Sequence, residues 1–198
     1  IPSYIKKINS GAFKVVPSGH YLTINNKYQN QKIYRFAGQI IATAINQGFN
    51  INIKLSLFVW KLLLSEKITI EDMNEYDHYL YQSLKWISEN DVTKLDETFV
   101  NRNDEELKEN GKNIKLTNDN KKEYIQLMLM NALIGSNEKS FKLMKQGFDE
   151  TIIHETKYSA SELRNKINGC ESIDLVDWKK NTVCYDDDEI VDTFFDII

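Results

Sequence analysis

The chain has 198 residues, 41% hydrophobic and 11% aromatic, enough to bury one core or two closely packed subdomains. A formal net charge of −4, with lysines dispersed along the chain, provides no electrostatic footprint for nucleic acid. The longest apolar stretches, 55–64 and 36–45, are broken by Lys61 and Gln39 and are too short to cross a bilayer. In chain order, Phe13 to Val16 and Tyr21 to Ile24 flank Pro17-Ser18-Gly19 and predict a hairpin with a short loop. From Lys32 to Ile45 apolar residues follow a helical period, and small Ala37, Gly38 and Ala42 allow close packing. A brief extended link, 50–53, leads to a helix over 55–64 that is apolar on nearly every side and therefore deeply buried.

Thr69 to Asp72 has the spacing of a capping box with Asp in place of Glu. Tyr76, Tyr79, Leu80, Ser83, Leu84 and Ile87 recur at helical spacing and predict one continuous face over 76–88. Beyond the acidic stretch 103–106, Asn110-Gly111 supplies the two positive-φ positions of a type I′ turn, with flanks 107–109 and 112–116 predicted to pair across it. Thr117, Asn118 and Asn120 offer oxygens to helix amides, Glu123 falls three residues after Asn120, and Tyr124, Leu127, Met128 and Leu129 begin an amphipathic helix. A further helix over 136–148 carries Phe141, Met144 and Phe148, with Gly147 marking its exit. Ser159 to Glu162 is a capping box for a short helix stopped by Asn168-Gly169. Asp174 caps 175–180, and the acids 186–189 precede a helix over 190–198.

The residue types leave little room for a reaction centre. His20, His78 and His154 are far apart, and no His-x-x-x-His or Cys-x-x-Cys spacing occurs, so no metal site is predicted. Phosphate-cradling glycine loops and a Gly-x-Ser-x-Gly elbow are absent, and no cofactor is predicted. Cys170 follows Asn-Gly at a helix end and Cys184 precedes an acidic run, both unfavourable to a thiolate. The two cysteines make no disulfide framework and read as reduced thiols of a cytoplasmic or nuclear protein. With no initiator Met and no secretory core, the chain reads as a piece of something longer. The pattern is that of an α+β, mostly helical binding domain, and taken alone it also fits a non-catalytic helical protein-interaction domain.

The order of these elements resembles the N-lobe of HECT-type ubiquitin ligases. The likeness is carried by Tyr34 to Ile45, Leu57 to Lys61, Ile70 to Leu84, and the run from Asn110-Gly111 through Lys121-Lys122-Glu123-Tyr124-Ile125. It continues through Gly147-Phe148, Glu162-Leu163, Gly169 to Trp178, Thr182, Tyr185 and Ile190 to Phe195, where Phe195 stands for the usual Trp. The resemblance implies a larger helical subdomain, about residues 1–75 and 135–198, and a smaller one, about 76–134, containing a β-hairpin. It implies that the smaller unit recruits a ubiquitin-loaded conjugating enzyme. A C-lobe cysteine then takes ubiquitin and passes it to lysines of substrates that are chosen by regions outside this chain.

Neither Cys170 nor Cys184 lies in a C-lobe-like context, so these residues are expected to bind without transferring. Aligned residue by residue, the conjugating-enzyme groove falls on Leu80, Ser83, Leu84, Ile87, Leu95, Tyr124 and Met128. Trp86 and Glu97 sit at or near it with atypical character. Truncating Tyr124 is expected to abolish binding without unfolding the domain.

Overall fold

The computed structural model describes residues 11–25, 27–28, 30–51, 53–153, 158–168, 175–183 and 193–196. The predicted hairpin forms from β1 (Phe13–Val15) and β2 (Leu22–Ile24), antiparallel, with Phe13 opposite Ile24 and Val15 opposite Leu22. The extended link lies along its open side, where Leu22 N donates to Lys54 O at 2.7 Å and Ser56 N donates to Leu22 O at 3.0 Å.

Helix α1 (Lys32–Gln47) turns its small residues onto α6 (Glu138–Asp149), and the two backbones nearly touch. A Cβ on Gly38 would collide with the Met144 carbonyl oxygen, and one on Gly147 with the Arg35 carbonyl oxygen. Gly147 is therefore interior to α6, which runs on to Asp149, and the predicted exit at Gly147 is corrected. Its glycine identity comes from a backbone more than a hundred residues earlier, a long-range requirement that a local stop signal imitates. Arg35 closes the crossing on Glu150 at 2.6 Å.

Helix α2 (Leu57–Leu63) buries Phe58, Val59, Trp60 and Leu63, as its all-round apolar character requires. It packs between α6 and α7 (Ala160–Asn168). In the first turn of α3 (Glu71–Tyr76) the buried Asp72 carboxylate accepts from the Thr69 amide at 2.8 Å and meets Lys61 Nζ at 2.8 Å. Half of the capping box is thus joined to an ion pair that satisfies a charge otherwise costly to bury. The Ser159 box is complete: its amide and hydroxyl both donate to Glu162 Oε2 at 2.8 Å, and the Glu162 amide lies 3.4 Å from Ser159 Oγ.

Two local expectations are revised in the middle of the chain. The single helix expected over 76–88 is broken at Asp77, whose extended backbone (φ −146°, ψ 96°) ends α3 and caps α4 (His78–Glu89) by accepting from Leu80 N at 3.0 Å. The Asn110-Gly111 hairpin does not form. Only Asn110 is left-handed (φ 58°), and Gly111–Asn113 is a 3₁₀ turn. The two flanks pair with the strand-like stretch 97–100 instead: Leu107 N donates to Phe99 O, Phe99 N to Gly111 O, and Leu116 N to Glu97 O. A Cβ on Gly111 would collide with the Phe99 carbonyl oxygen, so close approach explains this glycine.

Helix α5 (Lys121–Leu133) is preceded by a reciprocal clasp in which Thr117 N donates to Asn120 Oδ1 at 2.7 Å and Asn120 N to Thr117 Oγ1 at 3.3 Å. Glu123 pairs with Lys108 at 2.8 Å instead of closing a box with Asn120. Helix α8 (Leu175–Lys180) follows α7, and its Trp178 ring packs edge-on against Phe194 and Phe195 at 5.6 and 5.3 Å between centroids. The readings of His154, Cys170, Cys184, Asp174 and the acids 186–189 lie outside the described residues. So does the 190–198 helix apart from 193–196, which is helical. One apolar core joins all the larger helices, from Ala12 to Ile167.

Candidate functional site

Helix α4 begins where Asp77 forces a bend, and this sets the face it turns inward. Leu80, Leu84 and Ile87, at i, i+4 and i+7, are buried, with Leu84 1% exposed at the base. Opposite them α5 brings Tyr124 and Met128, one turn apart and also buried. Tyr124 is held in place from behind by Phe99, whose ring meets it edge-on at 5.4 Å. Between the helices an open groove of about 580 Å³ remains. All seven residues predicted from sequence, Leu80, Ser83, Leu84, Ile87, Leu95, Tyr124 and Met128, line it.

The helix face itself is narrower than its periodicity suggests. Tyr79, expected on the continuous face, is 82% exposed, because within α4 it lies about 100° round the helix from Leu80 and off the buried face. Ser83 is an exposed rim position whose hydroxyl donates to Tyr79 O at 3.0 Å. Leu95 is half-buried on the stretch linking α4 to residues 97–100.

One wall had no periodic signal in the sequence. Glu97, Val100, Asn101, Arg102 and Asp104 complete the lining from an irregular segment. The segment is shaped by Asn101, whose side-chain oxygen accepts from Asn103 N at 2.9 Å and Glu105 N at 3.1 Å, while its amide donates to Asn131 Oδ1 at 3.1 Å. The Asn-x-Asn-Asp composition is the signal that identifies such a turn, but it does not say which way the turn faces. Arg102 ties this wall to the start of α4 through Asp77 at 3.0 Å.

The electrostatics of the groove are those of an apolar floor with a partly acidic edge. The Tyr124 phenol is pushed up from its ordinary pKa, first by burial and second by the nearby Glu97 carboxylate, so it is neutral at physiological pH. At the far end of α4 the Asp91 carboxylate is held below its usual range by the Thr93 amide and then by Asn118, which fastens the exit loop. None of these groups forms a nucleophile–base pair. Among the described residues no three His, Cys, Asp or Glu side chains converge to hold a metal, and no helix is long and apolar enough to cross a membrane. His78 is exposed, with Nδ1 2.7 Å from Asn74 Oδ1. What the arrangement can do chemically is accept an apolar side chain presented by another molecule.

Comparison with known proteins agrees with the sequence pattern. Residues 3–198 match the HECT-domain (ubiquitin-transferase) family. The chain is 36% identical over 159 residues to the E3 ubiquitin-protein ligase TOM1-like of Neurospora crassa, covering 75% of this chain and 4% of that protein. It is 32% identical over 188 residues to the E3 ubiquitin-protein ligase pub1 of Schizosaccharomyces pombe, covering 88% and 24%. Over 170 residues it is 32% identical to the E3 ubiquitin-protein ligase RSP5 of Chaetomium thermophilum, covering 80% and 20%. The chain thus spans at most 24% of the length of these relatives.

Proposed function

Because the chain belongs to the HECT-domain (ubiquitin-transferase) family, we propose that it is an N-lobe whose α4–α5 groove docks a ubiquitin-loaded conjugating enzyme. On this reading the groove belongs to a smaller subdomain, about residues 76–134, carried by a larger one of about 1–75 and 135–198. The whole protein is a ubiquitin-protein transferase. A C-lobe cysteine attacks the thioester carbonyl of the carried ubiquitin and releases the conjugating enzyme's thiol. A substrate lysine then attacks the new thioester, forming an amide and freeing the cysteine. None of the described residues is assigned to that chemistry. Their task is to hold the donor in place and let it go, so these residues alone are expected to be inactive in transfer.

The observation that carries this reading is the convergence of Leu80 to Ile87, Leu95, and Tyr124 with Met128, three separated stretches of chain, on one apolar groove. Such a notch suits a single apolar side chain on a partner's loop. A contact of this size buries less than roughly 1,200 Å², which suits a partner that must leave after each transfer.

The test is a calorimetric titration of the chain against a panel of ubiquitin-conjugating enzymes, with Ser83→Asp as the diagnostic variant. Ser83 sits on the exposed rim, so a carboxylate there blocks an apolar visitor without disturbing the core. A loss of affinity of about tenfold or more supports the dock. Unchanged affinity, or no binding by any enzyme of the panel, overturns it. Tyr124→Ala is the wrong probe: the residue is 5% exposed and its ring packs on Phe99, so its removal damages the fold as well as the groove.

A further inference from the structure

The groove has a polar edge that an apolar visitor does not use. Trp86, one turn from Ser83 on the outer side of α4, lines it and is 48% exposed to solvent. Glu97 lines it from the irregular segment that follows Leu95. Its backbone is pinned, since Glu97 O accepts from Leu116 N at 2.8 Å, while its carboxylate is exposed and has no ion-pair partner among the described residues. Asp104, also on the lining, is likewise without one. Arg102, the cation among the lining residues, is held by Asp77. The edge therefore presents negative charge and a half-exposed indole beside a hydrophobic floor.

We infer that Trp86 and Glu97 form a cation-reading subsite, which selects conjugating enzymes whose docking loop carries a lysine or arginine next to its apolar tip. This rests on the docking function proposed above and adds the rule by which partners are chosen. A carboxylate attracts the cation, and an indole face within about 6 Å of it adds cation–π attraction. The same carboxylate repels a loop with an acidic residue at that place, so discrimination comes from rejection as much as from attraction. The direction of the Glu97 side chain is supported by its influence on the Tyr124 phenol, which lies on the groove floor. Because the carboxylate is exposed, its attraction falls with salt, whereas the apolar contact does not.

The experiment titrates those conjugating enzymes that bind the wild-type chain, at low and high salt, against Glu97→Gln, Trp86→Ala and Glu97→Lys. Glu97→Gln should weaken binding about fivefold at low salt and flatten its salt dependence, and Trp86→Ala should weaken it about threefold to tenfold. Glu97→Lys should cost about tenfold or more. Changing the basic residue of the partner's loop to Glu should restore most of that loss. Both positions are exposed, and unchanged thermal unfolding of the variants confirms that only the surface was altered. If both Glu97 variants bind like wild type at both salt levels while Ser83→Asp still loses binding, the subsite is refuted and the dock stands. If the wild-type chain binds no conjugating enzyme, the dock and the subsite fall together.

Discussion

At the crossing of α1 and α6, Gly38 lies against the Met144 carbonyl and Gly147 against the Arg35 carbonyl, leaving no space for a single added carbon. Between α4 and α5 the helices meet over a much shorter length, and side chains line a groove of about 580 Å³ without filling it. The two regions share one hydrophobic core, yet one is closed at the level of the main chain and the other is open at its rim. The contrast shows where this molecule tolerates change. A contact made by backbone cannot give way, because both helices would have to move as rigid bodies. A groove made by side chains has a floor that carries stability and an edge that is free to meet another molecule.

The sharpest challenge to this contrast is Gly147→Ala. The new methyl group meets the Arg35 carbonyl, so α6 must shift, and the expected loss is about 3 kcal/mol or more in urea unfolding. A loss below about 1 kcal/mol would mean that the crossing is looser than its geometry indicates. Next is Tyr124→Ala on the groove floor, where removal of a buried ring should cost about 3 kcal/mol, while Tyr124→Phe should cost far less. If Tyr124→Ala were as harmless as a surface change, the floor would have no structural role and the distinction between floor and edge would dissolve. Asp77→Ala removes both the cap of α4 and the tie to Arg102, and should cost about 1 kcal/mol. Arg102→Ala should cost less than that by the same unfolding measurement, because its exposed ion pair contributes little.

The smallest effect is expected from acid. Glu150, beside Arg35 and Gln146 at the crossing, and Asp91, bonded to the Thr93 amide and Asn118 at the groove's exit loop, both have carboxyls held below their ordinary pKa. A carboxyl with a depressed pKa in the folded state contributes stability that is present above its unfolded value and is lost as pH falls through the folded one. Stability should therefore be flat near neutrality and decline on acidification below about pH 5. Glu150→Gln and Asp91→Asn should each flatten that decline slightly. Both groups are exposed, so a steep change from either would show that the groups are more tightly coupled to the core than their surroundings imply.

Much of this arrangement was legible residue by residue. The hairpin at Pro17-Ser18-Gly19, the buried α2 and the Ser159–Glu162 box are local matters, decided by groups within a few positions of one another. Leu80, Leu84 and Ile87 announced a common face by their spacing, and the family resemblance supplied the positions that face them, Tyr124 and Met128. The errors have distinct causes. Asn110-Gly111 has the composition of a hairpin turn, but the 97–100 stretch offered the flanking segments better partners than each other. Tyr79 fits a helical stripe by its spacing but faces water, because it lies about 100° round α4 from Leu80, beyond the edge of the buried face. The wall built by Glu97, Asn101, Arg102 and Asp104 has no period to read, since irregular backbone leaves none.

The sequence by itself determined which segments become helices, where several are capped, which residues seek the interior and to which family the order of elements belongs. The first three follow from propensities and hydrogen bonds that act over a turn or two of chain, whereas the family came from the resemblance of the motifs to a known pattern. Only the tertiary structure decided that Gly147 is a contact point and not an end, that Asn110-Gly111 leads into a 3₁₀ turn, and that Asn101, Arg102 and Asp104 close one wall of the groove. Each of these depends on which distant backbone lies within a few ångströms, and that distance is set by the packing of the whole core.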